Sequence, residues 1–439
     1  MTTLFAQQQA AAVGAARPRL TGQVASVVGL TVTVAGLQAA VGELVRIEST
    51  TPLLAEVVAL GSGGLTCLPL GTLAGISRGT RVSATGNPLL VPVGAGLRGR
   101  VLDGLGRPLD GGPPLTGCQL VPVDAPAPPA LQRGRVDVPI ALGVRALDTL
   151  VTCGRGQRIG IFAGSGVGKS SLLSMITRGT DAEITVIALV GERGREVREF
   201  IENDLGPEGL ARSVVIVATS DQPPMIRLRA GFVATRIAEW FRDAGGDVLL
   251  MMDSLTRVAM AQREVGLSAG EPPATRGYPP STFALLPRLL ERGGPGVRGS
   301  ITGIYTVLVE GDDHNEPIAD SARSILDGHI TLDRRLATAG HFPSIDVLDS
   351  VSRVAPAVTT REQRAAATTL RRLLAARRDA RDLIEIGAYV PGTNADVDRA
   401  QALGPALEAF LQQDLADLVD PADAWAALRA LLDLRGGVA

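Results

Sequence analysis

The 439-residue sequence predicts an α/β protein: a parallel sheet covered by helices, preceded by a small β-barrel and followed by a helical domain. Three observations predict it. Between about residues 91 and 348, unbroken apolar runs alternate with helical stretches, as happens when strands are buried on both faces. Before residue 90 the chain carries short β-rich runs broken by glycine, and beyond Ser352 leucine and arginine recur at helical spacing. The expected organisation is an arm over residues 1–19, a barrel over 20–90, a sheet domain over 91–348 and a helical domain over 349–439.

Taken in order, the first 19 residues are rich in alanine and glutamine and reach Arg17-Pro-Arg19, the composition of a loosely held arm. They lack the basic and apolar segments of a secretory signal, and no apolar run is long enough to span a bilayer, so a cytoplasmic protein is expected. Gly22-Gln-Val-Ala-Ser-Val-Val28, Leu30-Thr-Val-Thr-Val-Ala35, Glu43-Leu-Val-Arg-Ile47 and Leu54-Ala-Glu-Val-Val-Ala-Leu60 are the barrel strands, closely spaced with turn residues between them. Leu97 to Pro108 and the proline-rich Pro113 to Pro129 read as a connector. Sheet strands follow at Arg158 to Phe162, Ile184 to Val190, Ser213 to Ala218 and Val248 to Met252. A helix over Thr359 to Leu383 carries Leu370, Leu373 and Leu374 among Arg364, Arg371, Arg372, Arg377 and Arg378, read as a solvated face. A last helical segment covers Pro405 to Leu434.

Composition narrows the function. A formal net charge of −2 and an aromatic content of 3% provide neither a basic track nor stacking platforms for nucleic acid. Tyrosine and tryptophan are both absent before residue 240, which argues against a hexameric RNA translocase reading bases with its N-terminal domain. Cys67, Cys118 and Cys153 are scattered, without the spacing of a disulfide framework or a zinc site.

The chemistry is concentrated in Ala163-Gly-Ser-Gly-Val-Gly-Lys-Ser170. Among 43 basic residues Lys169 is the one lysine. A glycine-rich turn between a buried strand and a helix aims backbone amides and the helix N-terminus into one concavity, which suits a polyphosphate. Lysine can follow the β- and γ-phosphates as a point charge, while the Ser170 hydroxyl suits Mg²⁺. This is a P-loop, with Ala163 where the first glycine usually stands. Ala163, Gly164, Ser165, Gly166, Val167, Gly168, Lys169, Ser170 and Ser171 are therefore the expected binders of ATP or ADP.

Hydrolysis needs more groups. Asp253 leaves the C-terminal edge of a buried strand, where open α/β sheets place their ligands, and is the expected second Mg²⁺ anchor. Glu192, just after another such strand, can polarise the attacking water as a general base. Arg257, four residues beyond Asp253, can touch the γ-phosphate from the same subunit. Arg353, in Asp349-Ser-Val-Ser-Arg353, sits where the sheet domain meets the helices and suits a finger reaching into a neighbour's site; a surface ion pair is the plain alternative.

These motifs, with Gly191-Glu-Arg-Gly-Arg-Glu196, Asp253-Ser-Leu-Thr-Arg257, Gly270-Glu-Pro-Pro-Ala-Thr-Arg-Gly-Tyr-Pro-Pro280 and Ile325-Leu-Asp-Gly-His-Ile330, resemble the rotary ATPase superfamily, and most closely the flagellar type III protein-export ATPases. The resemblance covers roughly residues 20 to 435. It implies a RecA-like P-loop domain in a homohexameric ring with sites at subunit interfaces. It also implies that Lys169 and Ser170 are the phosphate and Mg²⁺ ligands, Glu192 the catalytic carboxylate and Arg353 a catalytic finger given in trans, with adenine stacking by Phe342. The implied partners are a stator-like regulator at the N-terminus, a coiled-coil rotor-like protein beside the acidic loop Gly311-Asp-Asp-His-Asn-Glu316, and export-gate membrane proteins with export substrates and their chaperones. Association with the inner membrane would be peripheral. An injectisome secretion ATPase is the sister reading, and a non-catalytic ring subunit the reading from another class; Glu192 argues against the latter.

Overall fold

The computed structural model describes residues 20–309 and 316–433, so the arm over 1–19 and the acidic loop short of Glu316 lie outside the described residues. The chain divides into two compact units. One runs to Leu90 and includes Pro223–Ile226 and Glu264–Pro272; the other holds the rest.

Within the first unit six antiparallel strands close a barrel. Thr21–Val28, Thr31–Ala35, Glu43–Ile47 and Leu53–Gly61 coincide with the four expected runs to within a residue or two, and Gly64–Pro69 and Arg81–Pro88 complete the closure. Arg81–Pro88 escapes a hydrophobic reading because only Val82 and Ser83 along it are buried. Pairing on both sides, with Thr21–Val28 and Glu43–Ile47, nevertheless holds it and removes the free edges. Val32, Val34, Val45, Ile47, Val57 and Cys67 fill the interior from alternate positions.

The second unit is built on a nine-stranded sheet. Across it the main strands run in the order Ile345–Ser352, Gly328–Leu332, Arg158–Ala163, Ser300–Leu308, Asp247–Asp253, Ile184–Val190, Ser213–Ala218, Arg100–Asp103. All are parallel to their neighbours except Ile345–Ser352. The expected sheet strands lie here, and Ile184–Val190 and Ser213–Ala218 are buried at every position.

Two regions differ from expectation. The stretch read as connector supplies the edge strand Arg100–Asp103, bonded to Ser213–Ala218. Its turn residues misled: Asp103 accepts the Leu105 and Arg107 amides and so closes the sharp turn that follows. The strand Ile345–Ser352 likewise runs through the expected boundary at 348/349.

The C-terminal helices follow Thr360, whose hydroxyl and Gln363 cap Arg361–Asp379 reciprocally. Leu370 and Leu373 are buried on this helix as its pattern requires. Arg371 corrects the reading of a solvated arginine face, because its guanidinium donates to the carbonyls of Leu348 and Ser350 at 3.2 and 3.1 Å. Arg372 and Arg378 are more exposed and meet Asp396 and Asp349. The last segment is two helices, Gly404–Leu411 and Pro421–Asp433, because Gln413 turns inward between them. Leu407, Phe410, Trp425 and Leu428 join the same hydrophobic cluster as Ile159 and Leu172, so these helices share a core with the sheet.

Candidate functional site

Ala163 ends a strand at the middle of the sheet, and the helix Lys169–Gly179 begins six residues later. Gly166 and Gly168 between them have φ of 74° and 87°, left-handed values that a side chain resists. Gly168 is also the helix N-cap, so the amides of the following first turn have no intrahelical partner and face outward from the helix end. A cavity of about 790 Å³ opens there, lined by Ala163, Gly164, Ser165, Gly166, Gly168, Lys169, Ser170 and Ser171 and, across from them, by Glu192, Arg257 and Arg334. Val167 points the other way and is 1% exposed.

Sheet order brings the distant charges to this cavity. Asp253 is the last residue of its strand, one strand removed from Ala163, and Thr306 of the strand between them donates to its Oδ1 at 2.7 Å. Register places Leu189 beside Asp253, so Glu192 emerges a short turn beyond the same edge. Lys169 Nζ lies 2.5 Å from Asp253 Oδ1 and 3.5 Å from Glu192 Oε1. Burial alone would lower the Lys169 pKa, but the two carboxylates outweigh it and the net direction is up, which keeps the ammonium charged. Glu192 is raised, first by burial and then by Asp253 and Glu196, against the pull of Lys169. One ammonium facing two carboxylates leaves the cluster short of positive charge.

Gly191 shows how closely the arginine approaches. A Cβ there would sit 2.8 Å from Arg257 Cγ, and φ is 74°, so only glycine lets the arginine stem pass. Arg257 Nε is buried without a hydrogen-bond partner among the described residues, at the wall of a cavity suited to an anion. Phe342 is 45% exposed and does not line the cavity, yet its ring lies 3.3 Å from where a Gly168 Cβ would stand.

Arg353 lies elsewhere. Ser352 pairs with Gly328, and His329 pairs with Gly160, which puts Arg353 beside the start of the P-loop strand. Its amide donates to Asp327, whose carboxylate in turn accepts from Arg158. Five residues of strand separate that level from Ala163, or about 17 Å. The side chain is exposed. It is thus the one expected catalytic residue that the fold keeps away from its own chain's cavity.

Ser170 and Asp253 offer a hydroxyl and a carboxylate, hard oxygen donors of the kind Mg²⁺ prefers, beside a cluster short of positive charge. No group of three His, Cys, Asp or Glu side chains able to hold a metal occurs among the described residues, so a cation there would draw further ligands from nucleotide and water. Sequence reasoning missed Ser220, Thr256 and Arg334 as lining residues. Thr256 lies inside the quoted Asp253-Ser-Leu-Thr-Arg257 string; Arg334, far along the chain, carries no local signal.

Comparison with known proteins finds relatives of all three parts of the chain. A family model described as the ATP synthase alpha/beta family, nucleotide-binding domain, matches residues 143–352. The beta-barrel domain of that family matches 24–86, and the T3SS EscN ATPase C-terminal domain matches 359–430. The chain is 51% identical over 419 residues to the flagellum-specific ATP synthase of Bacillus subtilis (strain 168), covering 94% of this chain and 95% of the relative. It is 50% identical over 415 residues to the type 3 secretion system ATPase of Xanthomonas euvesicatoria, covering 94% and 93%. Among solved structures it is similar to the assembled ATPase EscN in complex with its central stalk EscO, from the enteropathogenic E. coli type III secretion system. That similarity has a TM-score of 0.87 at 44% identity, covering 94% of this chain and all of the other.

Proposed function

Because the chain belongs to the ATP synthase alpha/beta family, we propose that it is an ATPase whose homohexameric ring energises type III protein export, in the first instance of flagellar components. The observation that carries this reading is the meeting of Lys169 with Glu192, which lines the P-loop cavity beside it, and with the buried Asp253, both within 3.5 Å. The P-loop amides and Lys169 bind the phosphates of ATP, and Glu192 orients the attacking water and accepts its proton. Arg257 holds the γ-phosphate from within the subunit. Ser170 and Asp253 would hold Mg²⁺, which would supply charge neutralisation of the phosphates.

Arg353 completes the site in trans. At about 17 Å from its own P-loop along the strand direction it serves a neighbour, where a guanidinium stabilises charge developing in phosphoryl transfer. Phe342 stacks on the adenine. A non-catalytic ring subunit is disfavoured by Glu192, since a carboxylate set beside Lys169 is what hydrolysis needs. Flagellar and injectisome relatives stand at nearly equal identity, 51% and 50%, so the shared reading is ATP-driven export, and the flagellar one is tested by whether deleting the gene abolishes filaments.

The partners follow the same reading: a central stalk in the ring's pore, a stator-like regulator at the N-terminus, and the membrane gate with its substrates and chaperones. No described helix is long and apolar enough to cross a membrane; in this reading attachment at the inner membrane is peripheral and made through the partners.

The test is the steady-state ATPase rate against protein concentration, for the native chain and for Arg353→Ala mixed with Lys169→Ala. A rate per subunit that rises with concentration, with activity regained on mixing two inactive variants, supports interface sites. A concentration-independent rate indifferent to Arg353→Ala would sink the ring mechanism.

A further inference from the structure

We infer that Ser344 is a positioning residue for the phosphate-binding loop, the inner contact of a brace formed by residues 333–344; this rests on the nucleotide reading above. In a loop whose amides must converge on phosphate, the carbonyls have to be held from outside. Two of them are. Ser344 Oγ donates to the Val167 carbonyl at 2.5 Å with only 1% of Ser344 exposed, and Arg334 Nη1 donates to the Ser165 carbonyl at 3.1 Å on the rim. Between these contacts the Phe342 ring lies against Gly168. The brace therefore touches the loop at residues 165, 167 and 168, with Arg334 on the cavity rim and Ser344 and Phe342 outside the cavity lining.

The brace is itself held. Asp333 caps the short helix Arg334–Thr338 through the amides of Arg335 and Leu336, and its own amide donates to the Ser344 carbonyl at 2.9 Å, closing the segment on itself. On the outer side, the Gln413 amide donates to the Phe342 carbonyl at 3.0 Å, and Gln412 Nε2 lies 3.3 Å from His341 Nδ1. Gln413 is 6% exposed; its Nε2 donates to the Gly143 carbonyl at 2.8 Å and its Oε1 accepts the Arg145 amide at 2.9 Å. A chain of bonds thus runs from the break between the last two helices, through residues 341–344, to the loop that holds phosphate. Ser344 is its last link. A serine serving the fold alone would leave phosphate affinity indifferent to its loss.

The experiment measures affinity of the full chain for ADP and for inorganic tripolyphosphate by calorimetry, with ATP kinetics and thermal melts, in Ser344→Ala, Ser344→Thr and Lys169→Ala. Loss of one buried hydrogen bond that orients the loop should weaken both ligands in Ser344→Ala by about fivefold. KM for ATP should rise to match, with kcat within about twofold. Ser344→Thr, which keeps the hydroxyl, should recover affinity. If Ser344→Ala lowers the melting temperature but leaves both affinities unchanged, or weakens ADP without weakening tripolyphosphate, the inference falls. If Lys169→Ala also leaves tripolyphosphate binding unchanged, it is the nucleotide reading that fails.

Discussion

Two buried cation–carboxylate clusters in the same unit are built to opposite rules. Arg292 and Glu239, each with side chains 2% exposed, meet in two parallel bonds of 2.7 and 2.8 Å; Arg236 donates to the same carboxylate and Arg292 also donates to the Val123 carbonyl. Every charge there has its partner. At the P-loop, Lys169 alone faces Asp253 and Glu192, and Arg257 Nε has no partner among the described residues. The difference teaches where the fold stores demand for a ligand: the first cluster is finished by the chain itself, and the second is left for what the proposed function brings to it, phosphate, a divalent cation and a neighbour's arginine.

The contrast can be broken most forcefully at Arg353. If the second cluster is completed from outside the chain, Arg353→Ala should lower kcat by a factor of about 10³ to 10⁵ with the melting temperature unchanged. A loss of stability without loss of rate would make Arg353 an ordinary surface residue. Next comes Glu192→Gln, expected to cost roughly 10² to 10⁴ in kcat. Because burial raises the Glu192 pKa, the acid limb of the native rate profile should lie above the ordinary glutamate range, since the base must be ionised to act. An acid limb at or below that range would contradict the buried, carboxylate-crowded setting.

The first cluster predicts the reverse signature. Arg292→Met leaves the buried Glu239 carboxylate with Arg236 alone and should cost up to about 3–5 kcal/mol in denaturant unfolding, while Arg292→Met with Glu239→Leu should recover most of it. An equal cost in the single and double variants would mean that the pair contributes packing alone.

The last prediction concerns Asp148, another buried carboxylate. Burial pushes its pKa up to about 7, against the amides of Leu142, Gly143 and Val144 that favour the charged form. The folded state then holds a proton that the unfolded state, titrating near 4, releases, so stability falls as pH rises from about 4 to 7. Asp148→Asn should remove that slope and be the more stable protein at pH 8, measured by urea unfolding at pH 4 and pH 8. Parallel pH dependence in the two proteins would show Asp148 ionised throughout.

Much of this was legible before any coordinates. The strands Ile184–Val190 and Ser213–Ala218 coincide with their apolar runs because a strand buried on both faces has no polar position to blur its ends. Arg81–Pro88 and Arg100–Asp103 were not legible, since each is held by neighbours more than by its own hydrophobicity. At the site, Lys169, Ser170, Glu192 and Asp253 were nameable because glycine-rich turns and strand-ending carboxylates are local patterns. Arg371 and Gln413 were misread or unread because their partners are carbonyls far along the chain.

The sequence by itself determined the P-loop, the alternation of buried strands with helices, and the carboxylates at strand ends, all properties of a few adjacent residues and the periods of helix and strand. Tertiary structure decided the rest: that Lys169 meets Asp253 84 residues away, that Ser344 grips Val167 across 177, and that Arg353 stands at the far end of its own sheet. Those choices follow from strand order and register, and no short stretch of chain encodes which strand will lie beside which.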